Sequence, residues 1–329
     1  MIQRLARVRS PLTLALLVAA AVVFVQALLV PLFAGPAVNQ APRDLPVVVA
    51  GPPQATAGLT QQLAARQPGA FEIRTVPDAA SAEQALRDRE AYAAFVVGAD
   101  GLTLYTASAA SPTVAALLTQ AMTESPTGTP VRVVDVVPGD PDDPRGAGFG
   151  SGFLPLALTS VLVGVALTLL NLGRAARLTG LLAYGVLAGL AGAAVLHGWL
   201  GVLSGSYLLN AAALGLFTLA VSATVGGLGT ALGPAGLGVG ALLVFLVGNA
   251  LSGVASAPEM LPQPWGTLGQ WLPIGAGGTL LRSTAFFDGA GAVAPALILA
   301  GYAVVGLLLT LVRKDRSSSD PAVKGALPN

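Results

Sequence analysis

The feature that most constrains this chain is a long stretch almost without charge. Between Arg145 and Glu259 the only formally charged residues are Arg174 and Arg177, three positions apart in a short polar break between apolar runs. A soluble domain does not leave so long a segment uncharged, whereas a charged residue at the centre of a membrane helix is unfavourable by about 2.5 to 3.5 kcal/mol. The pattern therefore predicts a membrane protein.

The composition agrees with a membrane location and excludes several other classes. Of 329 residues, 54% are hydrophobic, only 10% are charged and 41 are glycine, which suits close helix packing in lipid. The balance of 17 basic and 16 acidic residues argues against a nucleic-acid-binding protein. With no Cys and one His, disulfides and thiolate metal sites are excluded and a zinc site is not expected. We expect no cofactor.

Six apolar runs are long enough to cross a membrane, which predicts an α-helical polytopic protein with six transmembrane helices. The first follows Arg4, Arg7 and Arg9; a cleaved signal peptide is the alternative, but its apolar region is usually about 7 to 15 residues, so an uncleaved anchor is expected. The runs are approximately Leu12–Ala34, Phe153–Leu170, Leu181–Leu200, Tyr207–Leu228, Leu232–Val254 and Ala292–Val312.

The positions of the basic residues predict the topology. If the N-terminus is cytoplasmic, Arg174 and Arg177 and the later cluster Arg313, Lys314 and Arg316 all fall on the cytoplasmic side, as the positive-inside bias requires. The predicted divisions are an interfacial segment and first span (1–34), an extracytoplasmic domain (35–150), a membrane domain (151–312) and a cytoplasmic tail (313–329). This arrangement places the protein in the cell membrane with both termini inside.

Residues 35–150 have the character of a soluble fold, since they contain 12 of the 16 acidic residues. Alternating apolar segments and turn residues predict a small α/β domain. One helix is predicted to begin at Ser81, whose spacing to Gln84 resembles a capping box. The predicted strands are Leu45–Ala50, Phe71–Val76, Ala93–Val97, Leu102–Ala107 and Val131–Val137, and the helices are Thr56–Arg66, Ser81–Glu90 and Ser111–Met122. A Pro-rich connector, Pro138–Arg145, follows.

The segment 256–291 is rich in Pro, Gly and Trp and is predicted to be an external re-entrant or amphipathic loop. Trp265 and Trp271 suit the headgroup level of a bilayer. The apolar residues Leu280, Leu281, Phe286 and Phe287 are expected in the membrane interface. Its charged residues, Glu259, Arg282 and Asp288, are interpreted either as a salt bridge or interface anchor or as a gate or substrate contact. The candidate residues of the external loop or gate are Trp265, Trp271 and Arg282.

The chain resembles the ABC-2 type permeases of ABC exporters, and within them the YhgE/Pip-like group. The resemblance rests on the order of elements and on two stretches, LRDREAYAAFVVGADGLTLYTAS (86–108) and LPQPWGTLGQWLPIGAGGTLLRSTAFF (261–287). It implies a permease subunit that forms a homodimer or heterodimer and exports cargo with energy from a separate ATPase. The chain has no Walker A motif, so the ATPase would be a partner.

The resemblance also implies that the cytoplasmic loop 171–179 contacts the ATPase through Arg174 and Arg177. The alternative is that both arginines only set the topology. The N-terminal segment resembles an interfacial helix, because the apolar residues Ile2, Leu5 and Val8 are interleaved with its arginines.

Three polar residues within or near the spans are candidate intramembrane contacts. His197, beside Trp199, is either a residue of the aromatic belt or a proton relay. Asn210 and Asn249 are either interhelical hydrogen-bonding groups or part of a transport pathway.

Two other function classes are alternatives to the exporter. An intramembrane enzyme needs paired carboxylates, a nucleophile with its base, or a metal set, and apart from His197 the predicted spans contain no titratable residue of this kind. An ATP-independent scaffold or receptor, whose extracytoplasmic domain binds an envelope or secretion partner, remains the alternative. The lack of a charged cavity in the spans favours an apolar or amphipathic cargo and contact with membrane lipid.

Overall fold

The computed structural model describes residues 11–99, 101–124, 131–170 and 172–312. The predictions for the basic clusters at both termini, and for the N-terminal interfacial helix, lie outside the described residues. The helices are α1 (Pro11–Val38), α2 (Pro53–Arg66), α3 (Ala79–Arg87), α4 (Pro112–Thr123), α5 (Ala147–Leu169), α6 (Arg174–Trp199), α7 (Tyr207–Leu232), α8 (Pro234–Leu251), α9 (Trp265–Gln270), α10 (Pro273–Phe286) and α11 (Val293–Val312). The strands are β1 (Leu45–Ala50), β2 (Phe71–Val76), β3 (Ala93–Gly98), β4 (Gly101–Thr106) and β5 (Arg132–Asp135).

Six of these helices, α1, α5, α6, α7, α8 and α11, are long and apolar enough to cross a membrane. They coincide with the six predicted runs, with ends that differ by a few residues. Two of them contain π-helical turns: the last turns of α6 (Ala194–Trp199) and the middle of α8 (Leu242–Val247).

Helix α7 forms the centre of the helix bundle, packed against α5, α6, α8, α10 and α11. Small residues make this possible because they let neighbouring backbones approach closely. A Cβ atom at Gly189 in α6 would collide with the backbone of Gly215 in α7, and one at Gly306 in α11 would collide with the backbone of Ala223. The GxxxG pair of Gly185 and Gly189 is therefore used within this chain, against α7.

Contacts at the two ends of the bundle show that α5, α6 and α7 alternate in direction. At one end, the Ser204 hydroxyl, between α6 and α7, donates to Asp140, which precedes α5, at 2.7 Å. At the other end, Nη1 of Arg177, in the first turn of α6, donates to Oγ1 of Thr230 near the end of α7 at 3.1 Å. The described parts of 39–146 also contact the segment 252–292, through Arg43 and Arg89, at the same end as Ser204.

Residues 45–135 form a five-stranded sheet in the order β2-β1-β3-β4-β5. Every neighbouring pair is parallel except β3 and β4, which form an antiparallel hairpin. Helix α3 covers one face, where Leu86 packs with Val48 and Val96. Helices α2 and α4 contribute to the core on the other face. The order of strands and helices agrees with the order predicted for this segment; its location outside the cell stays a prediction.

The predicted start of α3 and the predicted interface position of three apolar residues were wrong. Helix α3 begins at Ala79 rather than Ser81, and its N-cap is Asp78, whose Oδ1 accepts a hydrogen bond from the Ser81 backbone N–H at 2.8 Å. Ser81 therefore lies inside the first turn and supplies the N–H group that is capped. Leu280, Leu281 and Phe287 are buried inside the protein and do not face a membrane interface.

The packing of α7 against α11 yields a prediction with an internal control. Gly306→Ala places a methyl group against the Ala223 backbone, and such overpacking costs about 1 to 3 kcal/mol. A Cβ at Gly301, on the same helix, meets nothing within 4 Å. Thermal unfolding in detergent should show a lowered midpoint for Gly306→Ala and an unchanged or raised midpoint for Gly301→Ala. Equal midpoints would contradict the close α7–α11 contact.

Candidate functional site

The segment between α8 and α11 folds back onto the helix bundle. Its longest element, α10, is buried along nearly all its length and packs against α7, α9 and α11. The sheet then sits on this segment: residues around Met260 join the core on one face, and Phe287 joins the core on the other. The junction between the sheet and the helices is therefore a continuous packed interface.

Backbone hydrogen bonds fix one side of this junction. The N–H groups of Ala41 and Arg43, just before β1, donate to the carbonyls of Met260 and Glu259 at 3.1 and 3.0 Å. The guanidinium of Arg43 also donates to the Met260 carbonyl at 3.1 Å. Thr113, at the start of α4, donates to the Ala255 carbonyl at 3.3 Å.

Arg282 lies inside this junction, with 7% of its surface exposed. Its Nη2 donates to the Val254 carbonyl at 2.9 Å, and its guanidinium carbon lies 4.5 Å from the centre of the Phe149 ring. The predicted salt bridge among the charged residues of the segment is not formed: the ion pairs of the described residues are Arg74 with Glu90 and Arg87 with Glu83. A buried guanidinium without a carboxylate at salt-bridge distance is costly and marks a candidate site.

A second arginine, Arg89, reaches the same region from the sheet domain. Its Nη1 donates to the Thr279 carbonyl at 2.9 Å and to the Ser283 hydroxyl, both in α10. Its guanidinium also lies over the ring of Phe287, 5.2 Å from the ring centre. Arg89 adopts a left-handed backbone conformation (φ 58°), which is unfavourable for a residue with a Cβ by about 1 to 2 kcal/mol. The side-chain contacts with α10 offset this strain.

Tyr92, just before β3, and Glu259, in the segment between α8 and α11, make a further polar contact across the junction. The Tyr92 hydroxyl donates to Oε2 of Glu259 at 2.8 Å. Burial raises the pKa of the Glu259 carboxyl, and the hydrogen bond from Tyr92 and the nearby Arg89 offset only part of that effect. Burial also raises the pKa of Tyr92, so its hydroxyl stays protonated and remains a donor.

These side chains line a cavity of about 350 Å³ between the sheet and the helices. Gln270 and Thr279 add polar groups to its wall, and the Thr279 hydroxyl donates to Oε1 of Gln270 at 2.7 Å. Apolar residues from the first turns of the span α11 also line the cavity: Ala294, Pro295 and Ile298. The lining therefore combines charged and apolar side chains.

Of the residues predicted as a gate, only Arg282 lies in this cavity. Trp265 and Trp271 are 47% and 63% exposed and lie outside it. Their contact with lipid headgroups stays a prediction.

The candidate intramembrane residues separate into different roles. Asn210 is fully buried in α7: its amide donates to the Ser204 carbonyl at 2.8 Å, and its Oδ1 accepts from the Thr284 hydroxyl of α10 at 2.9 Å. It therefore ties α7 to α10. His197 is half-buried, with its ring edge toward Tyr207 and its Nδ1 3.5 Å from the Asn210 amide nitrogen. The Asn249 side chain makes no hydrogen bond with the part of the chain that the structure describes, and its carbonyl accepts from Ser252.

The two arginines of the α5–α6 turn also differ. Arg177 is half-buried and closes the end of the bundle, since it donates to the carbonyls of Leu167 and Leu172 as well as to Thr230. Arg174, the first residue of α6, is half-exposed. Arg177 therefore has a structural role that accounts for it without a partner protein.

Sequence reasoning missed Arg89 and Tyr92 as site residues. They belong to the sheet domain, and their partners in the loop and α10 are 167 to 194 residues away in the chain. Both fall within the stretch 86–108 that carries the family resemblance, but no local pattern in it indicates contact with α10.

Comparison with protein-family models, with curated proteins and with solved structures finds no match to this chain. A function for this chain is therefore inferred from the order of its spans, from the sheet and from the junction.

The raised pKa of Glu259 predicts how stability depends on pH. When folding raises the pKa of a carboxyl, the folded protein loses stability as the pH rises from the ordinary pKa of that carboxyl, about 4.3, through its pKa in the folded state. Glu259→Gln retains an acceptor for Tyr92 but cannot ionise, so its thermal midpoint should exceed that of the wild type at pH 8. The difference should disappear as the pH falls toward 4.5. A lower midpoint for Glu259→Gln at pH 8 would show that the ionised carboxylate is stabilising.

Proposed function

We propose that this chain is the membrane-spanning permease subunit of an ABC-2 type exporter, which moves an apolar or amphipathic cargo with energy from a separate ATPase. The observation that carries the proposal is the cavity at the junction, whose lining combines the charged residues Arg89, Arg282 and Glu259 with apolar residues of the span α11. Such a cavity suits a molecule that has one polar and one apolar part. The order of one span, a sheet-containing segment and five further spans supports the same assignment.

In this proposal the sheet lies outside the cell and the α5–α6 turn lies in the cytoplasm. Arg174 and Arg177 at that turn agree with the positive-inside bias. The ATPase docks at the turn, and a second permease subunit completes the transporter. Arg174, the first residue of α6, is assigned to the ATPase because it is half-exposed at this turn.

The orientation can be tested directly because the chain contains no Cys. Ala99→Cys places a single exposed thiol at the β3–β4 turn, and Ala176→Cys places one at the α5–α6 turn. In intact cells, a membrane-impermeant maleimide should label the Ala99→Cys variant and should label the Ala176→Cys variant only after the membrane is permeabilised. The reverse pattern would overturn the orientation and the exporter with it.

The ATPase partner can be tested by purification from native membranes at native expression. Mass spectrometry should find a Walker A ATPase with the wild-type protein, and Arg174→Glu should reduce its recovery about tenfold or more through charge reversal at the docking turn. Arg145→Glu reverses an exposed charge at the opposite end of the bundle and should retain the ATPase.

Recovery of the wild-type protein without any ATPase would contradict the exporter. A lone oligomer holding an envelope protein would instead support the scaffold or receptor, whose extracytoplasmic domain binds that partner.

A further inference from the structure

We infer that the cavity at the junction binds the anionic headgroup of a lipid-like amphiphile, with a phosphate or carboxylate held between Arg89 and Arg282. The binding site itself does not depend on the proposed function. The identification of such an amphiphile as the exported cargo rests on the function proposed above.

The two guanidiniums have donors to spare for such a group. Each carries five N–H donors. Among the described residues, Arg89 donates to the protein only through Nη1, and Arg282 only through Nη2. Both arginines line the cavity. The face of each guanidinium lies over an aromatic ring, and this contact does not use the remaining N–H groups at the guanidinium edge. Planar guanidinium edges match the oxygen geometry of phosphate and carboxylate.

The charges around the cavity also favour an anion. Glu90, at its wall, forms an ion pair with Arg74, so its charge is compensated outside the cavity. The other charged residues in the lining are Arg89, Arg282 and Glu259, which leaves an excess of positive charge. Two cations close to each other in a poorly solvated site repel, and an anion between them removes the repulsion.

The α11 residues in the cavity lining indicate that the bound anion belongs to a molecule with a hydrocarbon part. Ala294 and Ile298 line the cavity on the first turns of α11, and the neighbouring residues Val293 and Leu297 are 73% and 68% exposed. Exposed apolar side chains on a membrane span contact lipid, so the turns of α11 that line the cavity lie beside the bilayer. A headgroup can occupy the cavity while its chains remain along α11.

The volume fits a headgroup rather than a complete lipid. At about 350 Å³ the cavity lies at the small end of the roughly 300 to 1,000 Å³ typical of ligand pockets. Two acyl chains therefore stay outside it.

The test is equilibrium binding of fluorescent phosphatidylglycerol and chain-matched phosphatidylcholine to the full-length protein in a neutral detergent. The wild type should bind phosphatidylglycerol about tenfold or more tightly. Arg89→Gln and Arg282→Gln should each weaken that binding about tenfold, as expected for loss of a charge-assisted hydrogen bond. Arg87→Gln removes an exposed arginine of α3 that pairs with Glu83, and it should bind as the wild type does.

Two further variants do not depend on the stability of the arginine variants. Glu259→Gln removes the negative charge of a lining residue and should tighten phosphatidylglycerol binding, a gain that a damaged protein does not show. Ala294→Trp enlarges an exposed apolar lining residue of α11 and should weaken lipid binding.

Equal affinity for the two lipids, or wild-type affinity in both arginine variants, would overturn the inference. Glycerol phosphate and inorganic phosphate serve as soluble competitors. If either binds as tightly as the lipid, the site takes a free anion and the assignment to an amphiphile is wrong.

Transport measurements separate this inference from the proposed function. Lipid binding that requires the two arginines, in a protein without an ATPase, would support the binding site and contradict the exporter. ATP-driven transport in which the arginine variants move anionic and zwitterionic lipids equally would support the exporter and contradict the headgroup site.

Discussion

In a bilayer, apolar side chains gain little by leaving lipid for another helix, so the bundle depends on close packing of backbones. Helix α7 supplies that packing, because its small residues let α6 and α11 approach to backbone contact at Gly215 and Ala223. Once these helices are fixed against α7, their connecting segments are brought together at one end. The sheet and the segment between α8 and α11 meet there, and the cavity between them is a consequence of where the helices end.

The junction joins two kinds of physical environment. On the membrane side α10 offers carbonyl and hydroxyl acceptors, and on the sheet side Arg89 reaches them from a left-handed backbone position. A guanidinium can bury its stem and ring-facing surface while its edge still donates hydrogen bonds, which a lysine ammonium cannot do as well. The use of arginine at both buried cationic positions follows from this property.

Hydropathy and length predicted the six spans because both are local properties of the sequence, and the strands followed from short apolar runs between turn residues. The start of α3 was misplaced because Asp78 and Ser81 are both good caps and only the backbone geometry selects between them. The site was only partly predictable. Arg282 and Glu259 stand out as charges in an apolar segment, but the contact between Tyr92 and Glu259 joins residues 167 positions apart. Leu281 was assigned to the membrane interface since its apolar character does not distinguish lipid from protein neighbours.

The cavity is mechanically connected to the centre of the bundle through α10. Arg282, which lines the cavity, and Thr284, which donates to Asn210 in α7, are two residues apart on this helix. Asn210 is also bonded to the Ser204 carbonyl in the α6–α7 connection. A shift of α7 relative to its neighbours must therefore either move α10 or break a buried hydrogen bond, and leaving its donor or acceptor unsatisfied costs about 1 to 3 kcal/mol. The same linkage runs in both directions, because a group bound at Arg282 restrains α10 and hence the central helix.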